Sequence, residues 1–265
     1  MTRWALLLEY DGTGTVGWQR QQDGVTLQAL LEAAASRLAG GTAVPSVVAG
    51  RTDAGVHAAG QVALIELPDR HGAAQVRDAL NFHLKPHPLV VLRAAPAPEG
   101  WSPRFSAIHR VYRYLILNRR ARPALERRVW HVPQPLDEAA MAEAATHLLG
   151  RHDFTSFRAA ACQAKSPLRT LDRLPVTREG EIIAVQAEAR SFLHHQVRNM
   201  VGTLKLVGEG RWPPGRVADV LAARDRAASG PTAPPEGLTL LAVRYAQDPF
   251  TPAAEDRARA PACPR

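Results

Sequence analysis

One acidic and one basic side chain lie close together in the stretch VVAGRTDAGVHAAGQ, residues 47–61. Two valines before the pair and an extended run at 62–67 after it predict two strands joined by a tight loop. Glycines on both sides let the backbone bend and let another molecule approach closely. A carboxylate on such a junction suits nucleophilic or acid–base chemistry, so Asp53 is a candidate catalytic residue. The alternative is a solvated surface pair of Asp53 with Arg51, which is common.

The composition favours a globular protein with an anionic partner. The 265 residues include 46% hydrophobic and 22% charged side chains, which allows an ample core. A net charge of +8 and a pI near 10.3 favour nucleic acid as that partner. No apolar run approaches membrane-spanning length, and the first residues turn acidic too soon for a signal peptide. We therefore expect no membrane association.

The cysteines and histidines predict neither a disulfide framework nor a metal site. Cys162 and Cys263 have no metal-binding spacing and indicate a reducing cytoplasm. His194 and His195 are adjacent in a segment that is predicted to be helical. Neighbours on a helix point about 100° apart, so the two histidines do not suggest a shared metal ion. We expect them to lie in the core or to face RNA.

Hydrophobic periodicity predicts an α+β fold. Helices are predicted at 27–38, 73–82, 138–149, 192–204 and 217–224, and strands at 3–10, 89–95, 104–118, 173–177, 181–189 and 238–245. A proline-rich link at 96–103 divides the chain into a half at 1–100, which carries the Asp53 loop, and a half at 101–247. The remaining residues, 248–265, are rich in Pro, Ala and Arg and are expected to be disordered.

Aromatic and basic side chains interleave in the strand predicted at 104–118. Period-two alternation puts Arg110, Tyr112 and Tyr114 on one face. This pattern suits base stacking with phosphate contact, and it equally suits a half-buried strand with extended arginines. Trp18 in the run GWQRQ has two similar interpretations, a core residue or an RNA contact.

Other arginines also have two interpretations. Arg198 falls on the apolar face of its predicted helix, which is uncommon unless the arginine pairs with an acid or lies at the rim of that face. A basic loop is either solvated or a phosphate-binding rim. Its members are Arg119, Arg120, Arg122, Arg127 and Arg128.

Several blocks together resemble the tRNA pseudouridine synthase A family. They are EYDGTGTVGWQRQ, AGRTDAGVHAxGQV, FSAxxRxYRY, FxHHxVRNMVG and the closing GLxLxxVxY, and they occur in order between Trp4 and Tyr245. Two positions depart from the family's pattern. Thr15 and Val16 stand where aromatics are frequent, and LNFHLKPHP lacks an acidic residue.

The resemblance implies roles for individual residues. Asp53 matches the essential catalytic residue and acts on the sugar as nucleophile or base. Arg198 matches the arginine that pairs with it, which implies a contact between Asp53 and Arg198 that keeps the carboxylate ionised. Tyr112 matches the tyrosine that packs against the target base and is a candidate relay for the carbon-5 proton. Arg51 either fills the space that the flipped base leaves or holds a phosphate.

Six residues in all are expected to contact the substrate: Tyr112, Arg51, His57, Arg110, Leu238 and Leu240. Leu238 and Leu240 belong to the closing block and are expected near the base pocket, whereas His57 is expected mainly to brace the loop.

The resemblance also implies a substrate, a fold and an assembly. The implied reaction converts uridine to pseudouridine at positions 38, 39 and 40 of the tRNA anticodon stem-loop, after base flipping, with no cofactor and no metal. The implied fold has two similar halves, each a mainly antiparallel sheet backed by helices. They form one extended sheet with a central basic cleft. The implied assembly is a cytoplasmic homodimer that holds tRNA.

Three alternatives remain open. A pseudouridine synthase of the same family with another set of target uridines would share every motif. A non-catalytic RNA-binding or RNA-folding protein could keep the same scaffold, although Asp53, Tyr112 and Arg198 are all present. A hydrolase using Asp53 would lack an evident second acid.

Overall fold

A computed structural model describes residues 1–69 and 71–251 of the chain, and its fold is α+β. The strands are β1 (Thr2–Tyr10), β2 (Val47–Val48), β3 (His57–Leu67), β4 (Leu89–Pro96), β5 (Ala107–Leu117), β6 (Trp130–His131), β7 (Gly150–Asp153), β8 (Leu168–Arg173), β9 (Val176–Glu179), β10 (Ile182–Ala189) and β11 (Leu238–Tyr245). The helices are α1 (Leu27–Leu38), α2 (Ala73–Leu84), α3 (Glu138–Thr146), α4 (Gln196–Gly208) and α5 (Arg216–Ala223).

The described strands form one mixed, mainly antiparallel sheet in the order β4-β1-β3-β11-β5-β10-β8-β7. The short strands β2, β6 and β9 pair at the sides of β3, β5 and β10. The last described strand, β11, lies between β3 and β5, parallel to the first and antiparallel to the second. It therefore brings the start of β3, directly after the Asp53 loop, beside the middle of β5, where Tyr112 lies.

Helices cover one face of the sheet because their apolar stripes need a partner. Thr26 caps α1 by accepting a hydrogen bond from the Ala29 amide at 3.3 Å, and Asp137 caps α3 in the same way from Ala140 at 3.0 Å. One apolar cluster runs beneath all five helices, from Leu31 of α1 to tightly buried residues of α4. A smaller cluster covers the opposite face, where Trp101 packs against Tyr245 with ring centroids 4.9 Å apart.

Most elements predicted from periodicity are confirmed, although several boundaries differ, and three of these differences lie in or next to the site. β3 begins at His57 rather than at Val62, so Gly60 lies inside the strand. A side chain at Gly60 would overlap the Leu241 carbonyl oxygen, so glycine lets β11 approach. The strand predicted at 173–177 is interrupted, because β8 ends at Arg173 and β9 begins at Val176. Helix α4 begins only at Gln196.

Two further expectations concern Trp18 and the tail from residue 248. Trp18 is 2% exposed and belongs to the core, which favours the first of its two interpretations. Phe250 is buried in the smaller cluster, and its carbonyl accepts a hydrogen bond from Arg93, so the tail expected to be disordered from 248 begins with packed residues. Its remainder, 252–265, lies outside the described residues.

Within the described ranges no helix has the length and apolar character to cross a membrane.

Candidate active site

The loop between β2 and β3 is held from both sides, which fixes the backbone that carries Asp53. The Thr52 carbonyl accepts a hydrogen bond from the Trp18 amide at 3.1 Å, and the Thr52 hydroxyl lies 2.8 Å from that of Tyr10. A side chain at Gly17 would meet the Thr52 carbonyl oxygen at 2.8 Å. Glycine at 17 therefore allows the first loop of the chain to lie directly against the Asp53 loop.

Asp53 meets residues from the start of α4, although about 140 residues separate them in the chain. Its Oδ2 lies 3.4 Å from Arg198 Nη1, so the contact predicted for this pair is present. The same Oδ2 lies 3.4 Å from His195 Nε2, and Oδ1 lies 3.3 Å from His194 Nε2. The Asp53 side chain is 23% exposed, so three nitrogen-bearing groups surround the carboxylate and one side stays open.

The orientation of Arg198 is set by a loop that precedes β11. Arg198 Nε donates to the Ala233 carbonyl at 2.7 Å. The same loop is tied to α4 through Asn199, whose Oδ1 accepts from the Thr232 hydroxyl at 2.7 Å and from Arg226 at 3.2 Å. A side chain at Gly202 would overlap the Pro231 carbonyl, so α4 and the loop are in direct contact. Arg198 is therefore positioned by backbone, and only its tip reaches Asp53.

The two adjacent histidines are close to Asp53, which sequence reasoning missed. They precede α4, and His195 has a positive φ of 62°, so the chain turns there and their rings lie 4.1 Å apart between centroids. The expectation that they diverge as neighbours on a helix is therefore wrong. Residue types gave no signal of this turn, which the Gln196 side chain holds by accepting a hydrogen bond from the Leu193 amide at 2.8 Å.

Burial lowers the pKa of His195. The nearby charges of Arg198 and His194 lower it further, whereas the negative charge of Asp53 raises it. The imidazole of His195 is therefore favoured in its neutral form, and a neutral ring nitrogen can serve as an acceptor or a ligand.

Tyr112 forms the aromatic wall of the site. Its ring lies edge-on to Phe192, with 5.3 Å between centroids and 89° between planes. Burial raises the pKa of the Tyr112 hydroxyl above its ordinary range, and Tyr10 and Asp53 act in the same direction. On β11, Leu240 lies opposite Tyr112 and Leu238 opposite Tyr114, and both leucines are buried.

Arg51 and His57 differ sharply in accessibility. Arg51 is exposed, and no hydrogen bond or ion pair joins it to another described residue. His57 is 2% exposed, its Nε2 lies 3.1 Å from the Glu236 carbonyl, and its Nδ1 lies 3.1 Å from the Gly12 amide. The ring thus joins two loops, as expected of a bracing residue, and neither nitrogen is left to contact a substrate.

Arg110 is also occupied by the protein. Its guanidinium donates to the carbonyls of Ala49, Arg104 and Arg190, and burial lowers its pKa. Arg110 therefore holds the backbone just before the Asp53 loop, and the substrate contact expected of it stays a prediction.

Two adjoining cavities form a basic recess next to this cluster. One of about 300 Å³ is lined by Arg151, Arg169 and Arg190 among others, and one of about 170 Å³ by Arg104, Arg110 and Arg190. Asp53 lines neither cavity, but Ser191 lines both and lies three residues before His194. The recess therefore borders the segment that carries the two histidines.

The sequence is similar to known proteins along most of its length. Residues 144–246 match the family model described as tRNA pseudouridine synthase. The tRNA pseudouridine synthase A of Acidiphilium cryptum is 73% identical over 94% of this chain and 99% of its own length. Proteins of the same name from Gluconobacter oxydans and Paramagnetospirillum magneticum are 58% and 59% identical, over 94% and 92% of this chain and 92% and 96% of their own.

Proposed function

We propose how this chain, which belongs to the tRNA pseudouridine synthase A family, uses the residues around Asp53. The protein is a tRNA pseudouridine synthase, an isomerase that acts on uridine in tRNA. Its targets are proposed to be the uridines at positions 38, 39 and 40 of the anticodon stem-loop. The observation that carries the assignment is the contact of Asp53 with Arg198 at 3.4 Å, made by a carboxylate that stays partly exposed.

Asp53 is proposed as the catalytic carboxylate. The N1–C1′ bond of the uridine breaks, the uracil turns, and a C5–C1′ bond forms, while C5 loses a proton and N1 gains one. Asp53 acts on the sugar either as the nucleophile at C1′ or as a base. Arg198 favours the ionised carboxylate and orients it, because its own position is fixed by the Ala233 carbonyl.

Tyr112 is proposed to stack on the flipped uracil. The T-shaped contact with Phe192 fixes one edge of its ring and leaves aromatic surface for a base. The raised pKa of its hydroxyl favours a protonated phenol, which supports stacking more than it supports removal of the carbon-5 proton. Leu238 and Leu240 are proposed to close the apolar side of this pocket.

Arg51 is proposed to contact RNA directly. An exposed guanidinium without a partner among the described residues can enter the space that a flipped base vacates, or it can hold a backbone phosphate. This supports both roles, because within the described part of the chain Arg51 has no hydrogen bond or ion pair to give up when RNA binds.

The basic recess is proposed to carry the RNA backbone towards Asp53. Arg190 lines both cavities and is exposed, whereas Arg110 is buried beneath it. Phosphate contacts position an RNA without reading its sequence, which fits an enzyme that modifies neighbouring uridines. The loop of Arg119, Arg120, Arg122, Arg127 and Arg128 remains a proposed outer rim, although Arg119 already pairs with Glu181 at 2.9 Å.

The proposed architecture has two similar halves, 1–100 and 101–247, on either side of a basic cleft. The pairing of β11 with both β3 and β5 supports one extended sheet across them. A homodimer that holds tRNA in the cytoplasm completes the proposal. Light scattering of the purified chain, with and without tRNA, tests the dimer.

Asp53→Asn tests the catalytic assignment. We expect tRNA affinity to persist and pseudouridine formation, followed by tritium release from carbon-5-labelled uridine, to disappear. Asp172→Asn is the matched control, since Asp172 is also partly exposed beside a histidine at 3.3 Å and should keep full activity. Turnover near that of the wild type in Asp53→Asn would refute the assignment. Wild-type binding without tritium release would favour a non-catalytic RNA-binding protein.

A further inference from the structure

Two imidazoles and one carboxylate converge at the open side of the site. His194 Nε2 lies 3.3 Å from one oxygen of Asp53, and His195 Nε2 lies 3.4 Å from the other. One candidate ligand atom from each side chain lies within 4.8 Å of the other two. The proposed isomerisation uses the carboxylate but gives neither histidine a role.

We propose that Asp53, His194 and His195 form a binding site for a Zn²⁺-like transition-metal ion, and that such an ion inhibits the enzyme by occupying its carboxylate. The ion is an inhibitor in this proposal and takes no part in the isomerisation. The binding claim rests on the geometry of the three side chains, and only the inhibition claim rests on the proposed role of Asp53.

The spacing of the three groups fits tetrahedral coordination. Donor atoms that each lie about 2.0–2.1 Å from a tetrahedral Zn²⁺ are about 3.3–3.4 Å apart. His194 Nε2 lies 3.3 Å from Asp53 Oδ1 and His195 Nε2 lies 3.4 Å from Oδ2, so each nitrogen has this spacing to one oxygen of the carboxylate. Three protein ligands leave the fourth position for water, the arrangement of an open zinc site.

The ligand types favour a transition metal over magnesium. Imidazole suits Zn²⁺, Co²⁺, Ni²⁺ and Cu²⁺, whereas Mg²⁺ prefers an all-oxygen octahedron. The site is also accessible, because the side chains of His194, His195 and Asp53 are 41%, 27% and 23% exposed. An ion can therefore enter from solvent, and small rotations of the two rings can adjust the geometry.

Arg198 opposes a cation at this place but does not occupy the carboxylate fully. Its contact with Asp53 at 3.4 Å is longer than the roughly 2.7–2.9 Å of a strong charge-assisted hydrogen bond. Its Nε is held by the Ala233 carbonyl at 2.7 Å, which keeps the guanidinium on one side of Asp53. Oδ1 lies beside His194, and Oδ2 lies beside both His195 and Arg198. An ion bound through Oδ1 therefore keeps the Arg198 contact and requires the His195 ring to turn towards it.

Metal titration of the full-length, chelator-treated protein at neutral pH tests binding without any activity measurement. Zn²⁺ is followed by calorimetry, and Co²⁺ by the visible absorption that four-coordinate Co²⁺ produces. We expect saturable binding of one ion per chain. A thiolate-to-cobalt band would overturn the proposal, because it would assign the ion to Cys162 or Cys263.

Substitutions of single ligands locate the ion. Asp53→Asn, His194→Ala and His195→Asn should each weaken Zn²⁺ binding at least about tenfold. Asparagine is chosen at 195 because it tolerates the positive φ found there. His109→Ala is the control, since His109 also lies 3.3 Å from one carboxylate, that of Asp172, with a similar exposed fraction of 38%. Unchanged affinity in all three ligand variants would overturn the proposal.

Inhibition is measured as pseudouridine formation in the wild type. Zn²⁺ should abolish turnover at the concentration that saturates the calorimetric site, excess chelator should restore it, and the same concentration of Mg²⁺ should have no effect. His194→Ala should resist Zn²⁺ in proportion to its weaker binding. Binding without inhibition would overturn the inhibitory claim and would count against Asp53 as the catalytic group, while leaving the metal site itself established.

Discussion

Gly55 and Pro235 are in close contact although they lie far apart in the sequence. A side chain added at Gly55 would lie 2.9 Å from Pro235 Cγ, and Gly55 has a positive φ of 77°. The loop that carries Asp53 therefore lies directly against the loop whose Ala233 carbonyl holds Arg198. This contact limits how closely the two loops, and the carboxylate and guanidinium that they position, can approach each other.

Gly55→Ala is expected to reduce turnover by about 10–100-fold with little change in tRNA affinity, because a displacement of about 1 Å at a catalytic group has effects of that size. Single-turnover kinetics and filter binding separate the two quantities. Gly100→Ala is the control, since Gly100 has a positive φ of 68° and no atom near the added side chain. It shares the backbone strain of about 1–2 kcal/mol without the collision. Equal turnover in both variants would contradict the proposed role of the contact.

Sequence reasoning found the elements of the site more readily than their contacts. Alternation identified β5 and β11 as strands, but a period of two says nothing about partners, and β11 pairs in parallel with β3 across about 180 residues. The contact of Asp53 with Arg198 could be predicted only through resemblance to a family. Periodicity alone left Arg198 with either a distant acid or a local salt bridge.

Residue type alone does not show which polar side chains bind the protein's own backbone. Arg110 and His57 have residue types that suit RNA contact, and His57 is also expected to brace its loop; backbone groups bind polar atoms of both. His194 and His195 were misjudged because the start of α4 was placed a few residues too early. Predicted helix boundaries are often wrong by one or two residues. Here the two histidines precede the helix, so their rings lie close together instead of pointing apart.

Arg51→Ala should leave the fold unchanged and lower kcat/KM for tRNA strongly. No described residue forms a hydrogen bond or ion pair with the exposed Arg51 guanidinium, so we expect the free energy of unfolding to change by less than about 0.5 kcal/mol. Urea denaturation and steady-state kinetics measure the two effects.

Arg51→Lys then distinguishes the two proposed roles. Lysine keeps the charge but lacks the planar guanidinium, so it should restore most activity if Arg51 holds a phosphate and little if Arg51 fills the vacated stack. Wild-type kcat/KM in Arg51→Ala would exclude both roles.

Arg190→Ala should weaken tRNA binding and lower the slope of log K against log salt by about 1, as expected when one phosphate contact is lost. Arg190 lines both basic cavities and is exposed. Filter binding across a salt series gives the slope. Arg216→Ala is the control, because Arg216 lies on α5, pairs with Asp219 at 3.5 Å and lines neither cavity. If the salt dependence of binding falls equally in both variants, Arg190 makes no specific phosphate contact and the proposed role of the recess is wrong.

Arg198→Lys should lose one of two contacts that the arginine makes with different nitrogen atoms. Its Nε donates to the Ala233 carbonyl, and its Nη1 reaches Asp53. Lysine has one terminal ammonium and no donor at the Nε position, so it cannot serve both partners. If the ammonium turns to Asp53, the carbonyl of Ala233 loses its donor, which costs about 1–3 kcal/mol of stability. If it turns to Ala233, the carboxylate loses its fixed counter-charge and turnover falls.

We therefore expect Arg198→Lys to lose activity while it keeps the charge, and urea denaturation to report which partner was abandoned. Arg77→Lys is the control, because Arg77 also pairs with a carboxylate, that of Asp78 at 2.7 Å, but lies exposed on α2. It should change neither quantity. Wild-type stability and turnover in Arg198→Lys would mean that charge alone suffices near Asp53, and the position of the loop before β11 would then have no bearing on catalysis.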